Sequence, residues 1–407
     1  MRKNGVNREL REIAGGICAP AGFRANGMRA GFTSDPNKKD LALVVADRRC
    51  PTACVFSAQS EQSGPACSSK RHVKKGLARA ILVNSGIANV FQPNGERLAE
   101  LACRALAARS DIDANDTVIA STGKIGGEIT LSPFEDNLRA LFQGLEGTEE
   151  ASLRAAEAIM TTDSYPKHAA FEFDLGDFPC KIGALFKGST RVAPNMATTL
   201  IFLTTDVNIS SEMLQKALHL TVKDTVNLLC GDGISSPNDT VCIMANGKAG
   251  NYKISCEDTE FAKFTVALKK VLAELCRRIA KDCDKEDKLF TCKVSGAKSQ
   301  PVAYAVAKKL VSSHRVRQTI LRNQLDVESI LYAVCEGASD ARFHGVQIAL
   351  QGNGEEYILY EENGVLPITG ENLSRLTAGD EVVLCVSMQD GNYTATAFGC
   401  LETKGNF

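Results

Sequence analysis

Lys187-Gly188-Ser189-Thr190-Arg191-Val192-Ala193-Pro194-Asn195-Met196-Ala197-Thr198-Thr199-Leu200-Ile201-Phe202-Leu203-Thr204-Thr205-Asp206 decides how this chain is read. A cationic, turn-rich loop with Gly188 and Pro194 runs straight into the apolar run Leu200-Ile201-Phe202-Leu203, and Thr198 sits at the junction. On propensity alone this is a loop followed by a buried strand with β-branched threonines. A chemical reading is also open. A threonine at a strained junction can attack the carbonyl carbon of its own preceding residue, here Ala197, whose small side chain leaves room for the tetrahedral intermediate. The peptide becomes an ester and hydrolyses, which leaves Thr198 as a chain terminus with its hydroxyl beside its own α-amine. Such an amine has a pKa of about 7.7–8 and can take the hydroxyl proton near neutral pH without any histidine.

An oxyanion needs donors as well. Ser121-Thr122-Gly123-Lys124-Ile125-Gly126-Gly127 follows the strand-like run Thr117–Ala120. Thr122 offers a hydroxyl there, and Gly123 lets a backbone approach closely. Taken alone, the segment reads as a turn.

The rest of the chain frames these two segments. Its 407 residues suit two or three domains, or one two-lobed unit. A net charge of -1 leaves no basic footprint for nucleic acid. No 18-residue apolar run exists, and the charged start Met1–Leu10 lacks a signal-peptide core, so a soluble, cytoplasmic protein is expected. The 15 cysteines form no C-x-x-C pair and the 5 histidines show no metal-ligand spacing, so cysteines acting as small buried hydrophobes are expected, with no metal. Phosphate-loop, dinucleotide, serine-elbow and zinc-protease signatures are all missing. Asp232-Gly233 lacks the spaced acids of a calcium loop.

Helical spacing runs through Leu98–Leu106, Met213–Leu228 and Phe261–Ile279, with a further helix from Pro301 to about Val311. Ala80–Val83, Thr117–Ala120 and Leu200–Leu203 read as strands. Near the end, Tyr357–Tyr360 before Asn363-Gly364 reads as a hairpin, and Val382–Met388, Asp390-Gly391 and Tyr393–Phe398 read as a second. Strands and helices do not alternate regularly, so layered α/β lobes are expected rather than one doubly wound sheet.

At this point the chain resembles the ornithine acetyltransferase family, also called bifunctional glutamate N-acetyltransferase, of the cyclic arginine pathway. Lys187 through Leu200 is similar to that family's K-G-x-G-M-x-x-P-x-M-A-T-M-L, in which cleavage falls between Ala and Thr. Gly15-Gly16-Ile17 with Ala19–Phe23, Lys39–Leu43, Asn84–Asn89, Ser121–Gly123 with Ile125-Gly126, Ile159–Asp163, Asn238–Val241 with Ala245–Gly247, and Ala397–Cys400 resemble further family blocks in the same order. The resemblance implies an N-terminal-nucleophile-like α/β/β/α layered fold, processed into an α chain 1–197 and a β chain 198–407 that pair as α2β2. It implies ping-pong transfer of an acetyl group from N-acetylornithine to glutamate through Thr198, with Thr122 and Gly123 as oxyanion hole, Thr161 and Lys187 on substrate, and no cofactor. Lys187 suits an α-carboxylate as a point charge.

The chain also departs from the family pattern. Thr190 and Arg191 replace Gly and Met, Lys124 replaces Val, and Asp284 stands where the family has a substrate-binding Glu. The D-P-N-W-G-R block has no counterpart around Asn323–Ile330, and Leu401–Phe407 lacks the family's Asn and Thr/Ser tail. These changes spare the acyl-enzyme groups and alter the recognition shell. A divergent acyltransferase is expected, the alternatives being an amidase or deacylase on another N-acyl amino acid, or a non-cleaving relative.

Overall fold

The computed structural model describes residues 10–189, 199–231, 236–338, 345–362 and 364–403. In chain order its strands are β1 (Arg11–Ile13), β2 (Phe23–Met28), β3 (Leu41–Phe56), β4 (Leu77–Asn84), β5 (Thr117–Ser121), β6 (Lys167–Leu175), β7 (Phe178–Lys187), β8 (Leu200–Thr205), β9 (Leu229–Cys230), β10 (Thr240–Ala245), β11 (Leu289–Ala297), β12 (Gln347–Gly352), β13 (Glu355–Glu361), β14 (Gly364–Val365), β15 (Glu381–Ser387) and β16 (Tyr393–Gly399). They fall into two units. The first is drawn from Met1–Lys187, Asn195–Val222 and Ser235–Leu272, and the second from the remainder.

In the first unit the strand order is β1-β6-β7-β8-β10-β3-β4-β5, with β2 also on β3. The continuous apolar run of β8 has its reason here, because every residue of the strand is buried. A strand covered on both faces has no polar side to alternate with. β8 runs antiparallel to β7, with Lys187 opposite Leu200, and parallel to β10, with Thr240 opposite Leu200. The long β3 joins two halves of the sheet. Its first part pairs with β2, its last part pairs with β10, and its register against β4 shifts between Val45 and Cys50. Such an irregularity bends a strand and lets one sheet turn back on itself.

The layers follow from which face each residue presents. Val44 of β3, Ile81 and Val83 of β4 and Val118 of β5 share one buried cluster with Leu200 and Phe202 of β8 and Cys242 and Met244 of β10. The opposite faces, with Leu43, Leu82 and Ile119, pack against the helices Gly95–Ala107 and Ser132–Gln143. On the other sheet half, the helix Thr259–Cys283 brings Phe264 to 6.4 Å from the Phe173 ring of β6. Helix, sheet, sheet and helix therefore succeed one another, as the α/β/β/α expectation has it.

The second unit carries the order β14-β13-β12-β15-β11-β16-β9 over a core shared with the helices Gln300–Ser312 and Val327–Gly337. Here one expectation is corrected. β15 and β16 do not form a hairpin, because β11 lies between them, parallel to β15 and antiparallel to β16. The turn at Asp390-Gly391 wraps over the end of β11, with Met388 N–H donating to Ser295 and Asp390 N–H to Gly296. A Cβ on Gly391 would stand 2.4 Å from the Ala297 carbonyl oxygen, so that glycine serves a close crossing rather than a tight hairpin. The hairpin read from Tyr357 to Gly364 is present as β13 and β14, while Asn363 lies outside the described residues. A second correction is smaller. The helix expected to reach Leu228 ends at Asp224, where Thr225 leaves helical backbone (φ -134°, ψ -76°).

Most cysteines are buried, and burial pushes the Cys50 thiol up to about 12. No helix among the described residues is long and apolar enough to cross a membrane.

Candidate functional site

Ala197 and Thr198, the expected cleavage pair, lie outside the described residues, as do Thr190 and Arg191. The description resumes at Thr199, the residue bonded to Thr198. Its backbone is fixed from both ends: the N–H donates to Asp239 Oδ1 at 2.7 Å, and the carbonyl accepts from Thr240 N–H at 3.2 Å. Asp239 is fully buried, and its Oδ2 accepts the Ser236 N–H at 3.2 Å. Burial raises its carboxyl well above the ordinary range, against the pull of those two N–H donors and of Lys187. The neighbouring Asn238 donates from Nδ2 to the Ala88 carbonyl at 2.8 Å. Two consecutive side chains thus tie the residue after Thr198 to the loop that follows β4.

That loop backs the Thr122–Gly123 turn. Thr122 N–H donates to Asn84, Lys124 N–H to Gly86, and Ala88 N–H to Lys124. The Gly123 N–H between them meets no acceptor among the described residues. Gly123 has φ +133°, and a Cβ there would stand 2.3 Å from the Gly86 carbonyl carbon, so only glycine lets the two loops run this close. Thr122 is fully buried, yet its Oγ1 has no hydrogen-bond partner. A buried hydroxyl without a partner carries a desolvation cost, and sites that recruit a ligand oxygen are where such costs are retained. Lys124 and Ile125 are exposed on the outer side of the turn.

Thr161 and Lys187 meet through a residue that motif reading left unassigned. Asp163 Oδ2 accepts the Thr161 N–H at 3.0 Å and lies 3.7 Å from Lys187 Nζ. Its Oδ1 accepts from Lys167 Nζ at 2.8 Å. All three charged side chains are almost wholly buried. Burial alone would push the Asp163 carboxyl up, but Lys187 and Lys167 together hold it well below the usual range. Lys187 is shifted down, first by burial, and Asp163 opposes that shift while Lys167 adds to it. Local sequence accounts for each placement. The helix Glu149–Ile159 stops at Met160, whose extended backbone (ψ 149°) turns Thr161–Asp163 away, and Lys187 is the last residue of β7.

Asp284 belongs to the second unit, just past the helix Thr259–Cys283. Its carboxylate accepts four backbone N–H groups: Glu286 at 2.9 Å and Lys288 at 3.2 Å on Oδ1, Leu401 at 2.9 Å and Glu402 at 3.0 Å on Oδ2. It clamps the segment before β11 to the segment after β16. Among the described residues no cluster of His, Cys, Asp and Glu could hold a metal ion.

The residues that motif reading did not place in the site are Asp163, Lys167, Asn238 and Asp239. Their signal was present in the Ile159–Asp163 and Asn238–Val241 blocks. What the sequence does not give are the distant partners, Lys187 for Asp163, Thr199 for Asp239 and Ala88 for Asn238, which lie 24 to 150 residues away.

The model of the ArgJ family matches residues 24–404. The arginine biosynthesis bifunctional protein ArgJ 1 of Clostridium acetobutylicum is 31% identical over 379 residues, covering 93% of this chain and 92% of that protein. The glutamate N-acetyltransferase of Methanocaldococcus jannaschii is 32% identical over 402 residues, covering 96% of each. Among solved structures, a chain of the Bacillus halodurans arginine biosynthesis bifunctional protein ArgJ is 28% identical, with 46% of this chain and 98% of that one covered and a TM-score of 0.44.

Proposed function

The chain belongs to the ArgJ family, and from that premise we propose that it is a self-cleaving N-acyltransferase that moves an acetyl group from an N-acetylornithine-like donor to a glutamate-like acceptor through Thr198. The observation that carries the reading is the Thr122–Gly123 turn, where a buried hydroxyl without a partner and an unengaged N–H lie side by side. Two such donors match what a tetrahedral oxyanion requires.

In self-cleavage, Thr198 Oγ adds to the Ala197 carbonyl carbon, the C–N bond breaks, and the acyl group shifts to oxygen. Water then hydrolyses the ester, which releases the Ala197 carboxylate and restores the Thr198 hydroxyl beside the α-amine that took up the hydroxyl proton when the C–N bond broke. In transfer, that amine takes the Oγ proton as Oγ attacks the donor's acetyl carbon. The oxyanion rests against Thr122 and Gly123. Collapse expels the donor amine, which receives the proton, and leaves an acetyl ester on Thr198. The acceptor amine then attacks the ester, and its proton passes through the α-amine back to Thr198 Oγ. Lys187 and Thr161 hold the amino-acid part of the substrate. Asp284 keeps its four backbone N–H donors within the second unit.

Denaturing mass analysis tests this directly. Two fragments split between Ala197 and Thr198 are expected, with an added acetyl mass on the fragment that begins Thr-Thr-Leu-Ile after incubation with N-acetylornithine. Thr198→Ala should stay whole and carry no adduct. A parent chain that stays intact on long incubation would overturn the reading. Acetate release that is independent of glutamate would replace transfer by hydrolysis.

A further inference from the structure

Lys187 is the cation proposed to meet the substrate carboxylate, yet it lies in a crowded electrostatic setting. Four charged groups act on it: Asp163 and Asp239 favour its charge, Lys167 and Lys38 oppose it. Of these, Lys167 is as buried as Lys187 and shares Asp163 with it. The two buried ammonium groups share this carboxylate, which offsets part of the cost of burying both. Removing it would take from both cations an anion they share, and Lys187 would then lose its proton more readily, since Lys167 also lies 4.7 Å from the centre of the Tyr165 ring.

The same carboxylate reaches the other substrate-side residue. Asp163 Oδ2 is the oxygen that faces Lys187 and also the oxygen that accepts the Thr161 N–H. One rigid group therefore sets both the position of the Thr161 backbone and the charge of Lys187. We infer that Asp163 is the positioning residue of the substrate site, a single buried carboxylate that couples the Thr161 turn to the Lys187 ammonium, with Lys167 as its counterweight. The inference rests on the acyltransferase reading above. It adds that recognition of the substrate's carboxylate is set one step behind the residues that touch it, and that it is lost at alkaline pH when Lys187 deprotonates.

The signs follow from the geometry. Asp163→Asn removes the anion that keeps Lys187 charged, so the alkaline limb of kcat/KM moves to lower pH. Lys167→Met removes a neighbouring cation, so in the double variant the limb moves back. Steady-state transfer from N-acetyl-L-ornithine to L-glutamate should be followed between neutral and alkaline pH for the parent, Asp163→Asn and Asp163→Asn/Lys167→Met, with the acyl adduct on Thr198 measured by mass in each. In the single variant KM for N-acetylornithine should rise about tenfold or more with kcat nearly kept. Its alkaline limb should shift down by about one pH unit, and the double variant should recover most of both. The double variant also guards against a folding defect, because it restores the charge balance of the buried cluster. An active parent whose Asp163→Asn variant keeps its KM and its alkaline limb would overturn the inference alone, as would a well-folded double variant no better than the single. A parent that never forms the adduct would overturn the acyltransferase reading, and this inference with it.

Discussion

At the scale of single residues, Thr122 shows most plainly how a site can be recognised by what it leaves unmade. Its hydroxyl is shut away from water and donates to nothing, while the N–H groups on either side of Gly123 are both engaged. For folding alone, valine would fit the same shape without the buried oxygen. Thr122→Val is therefore expected to leave thermal stability unchanged or to raise it by about 1 kcal/mol. The same change should lower kcat by about 100- to 1000-fold with little effect on KM, as loss of one oxyanion donor does. Calorimetry beside steady-state kinetics checks both halves. A variant that loses stability and keeps its turnover would show that the hydroxyl serves packing.

At the scale of elements, the proposed nucleophile is governed by a splice between strands. β8 begins directly after Thr199, and the Asn238–Asp239 pair at the start of β10 holds both that residue and the loop beside Thr122. The Asp239 carboxylate acts as an acceptor for two backbone N–H groups, a task that an amide oxygen shares for one of them. Asp239→Ala strands both donors in a buried place and should cost about 2–4 kcal/mol in urea unfolding, at about 1–2 kcal/mol for each unsatisfied group. Asp239→Asn should cost clearly less. Equal losses for the two variants would mean that charge, not geometry, is what the position requires.

At the scale of the whole molecule, the buried charges decide how stability answers to pH. The folded-state pKa of Asp163 lies below its unfolded value of about 3.9. Its contribution is therefore fully present above that value and is lost as pH falls from about 4 toward the folded pKa. Lys187 works in the opposite range. Its folded pKa lies below the unfolded value of about 10.4, so the unfolded chain binds more protons just below that pH, and stability rises with pH across that window. Urea midpoints measured from neutral to acid pH should fall less steeply for Asp163→Asn/Lys167→Met than for the parent. Parallel curves would place the acid sensitivity elsewhere.

Residue order alone carries the run Leu200–Leu203 as a buried strand, the helices around Leu98–Leu106 and Phe261–Ile279, the turn at Thr122–Gly123, and the collinear motifs of a single family. These are local patterns, written in the period of apolar residues and in fixed spacings, so they survive without a fold. The fold alone shows that β11 separates the two strands read as a hairpin, that Asp284 is engaged by four backbone N–H groups, and that Asp163 lies between Lys187 and Lys167. The physical reason is the same in each case. A turn signal states that the chain reverses but not what lies between its arms, and a carboxylate's role depends on which donors and cations the fold brings to it from far along the chain.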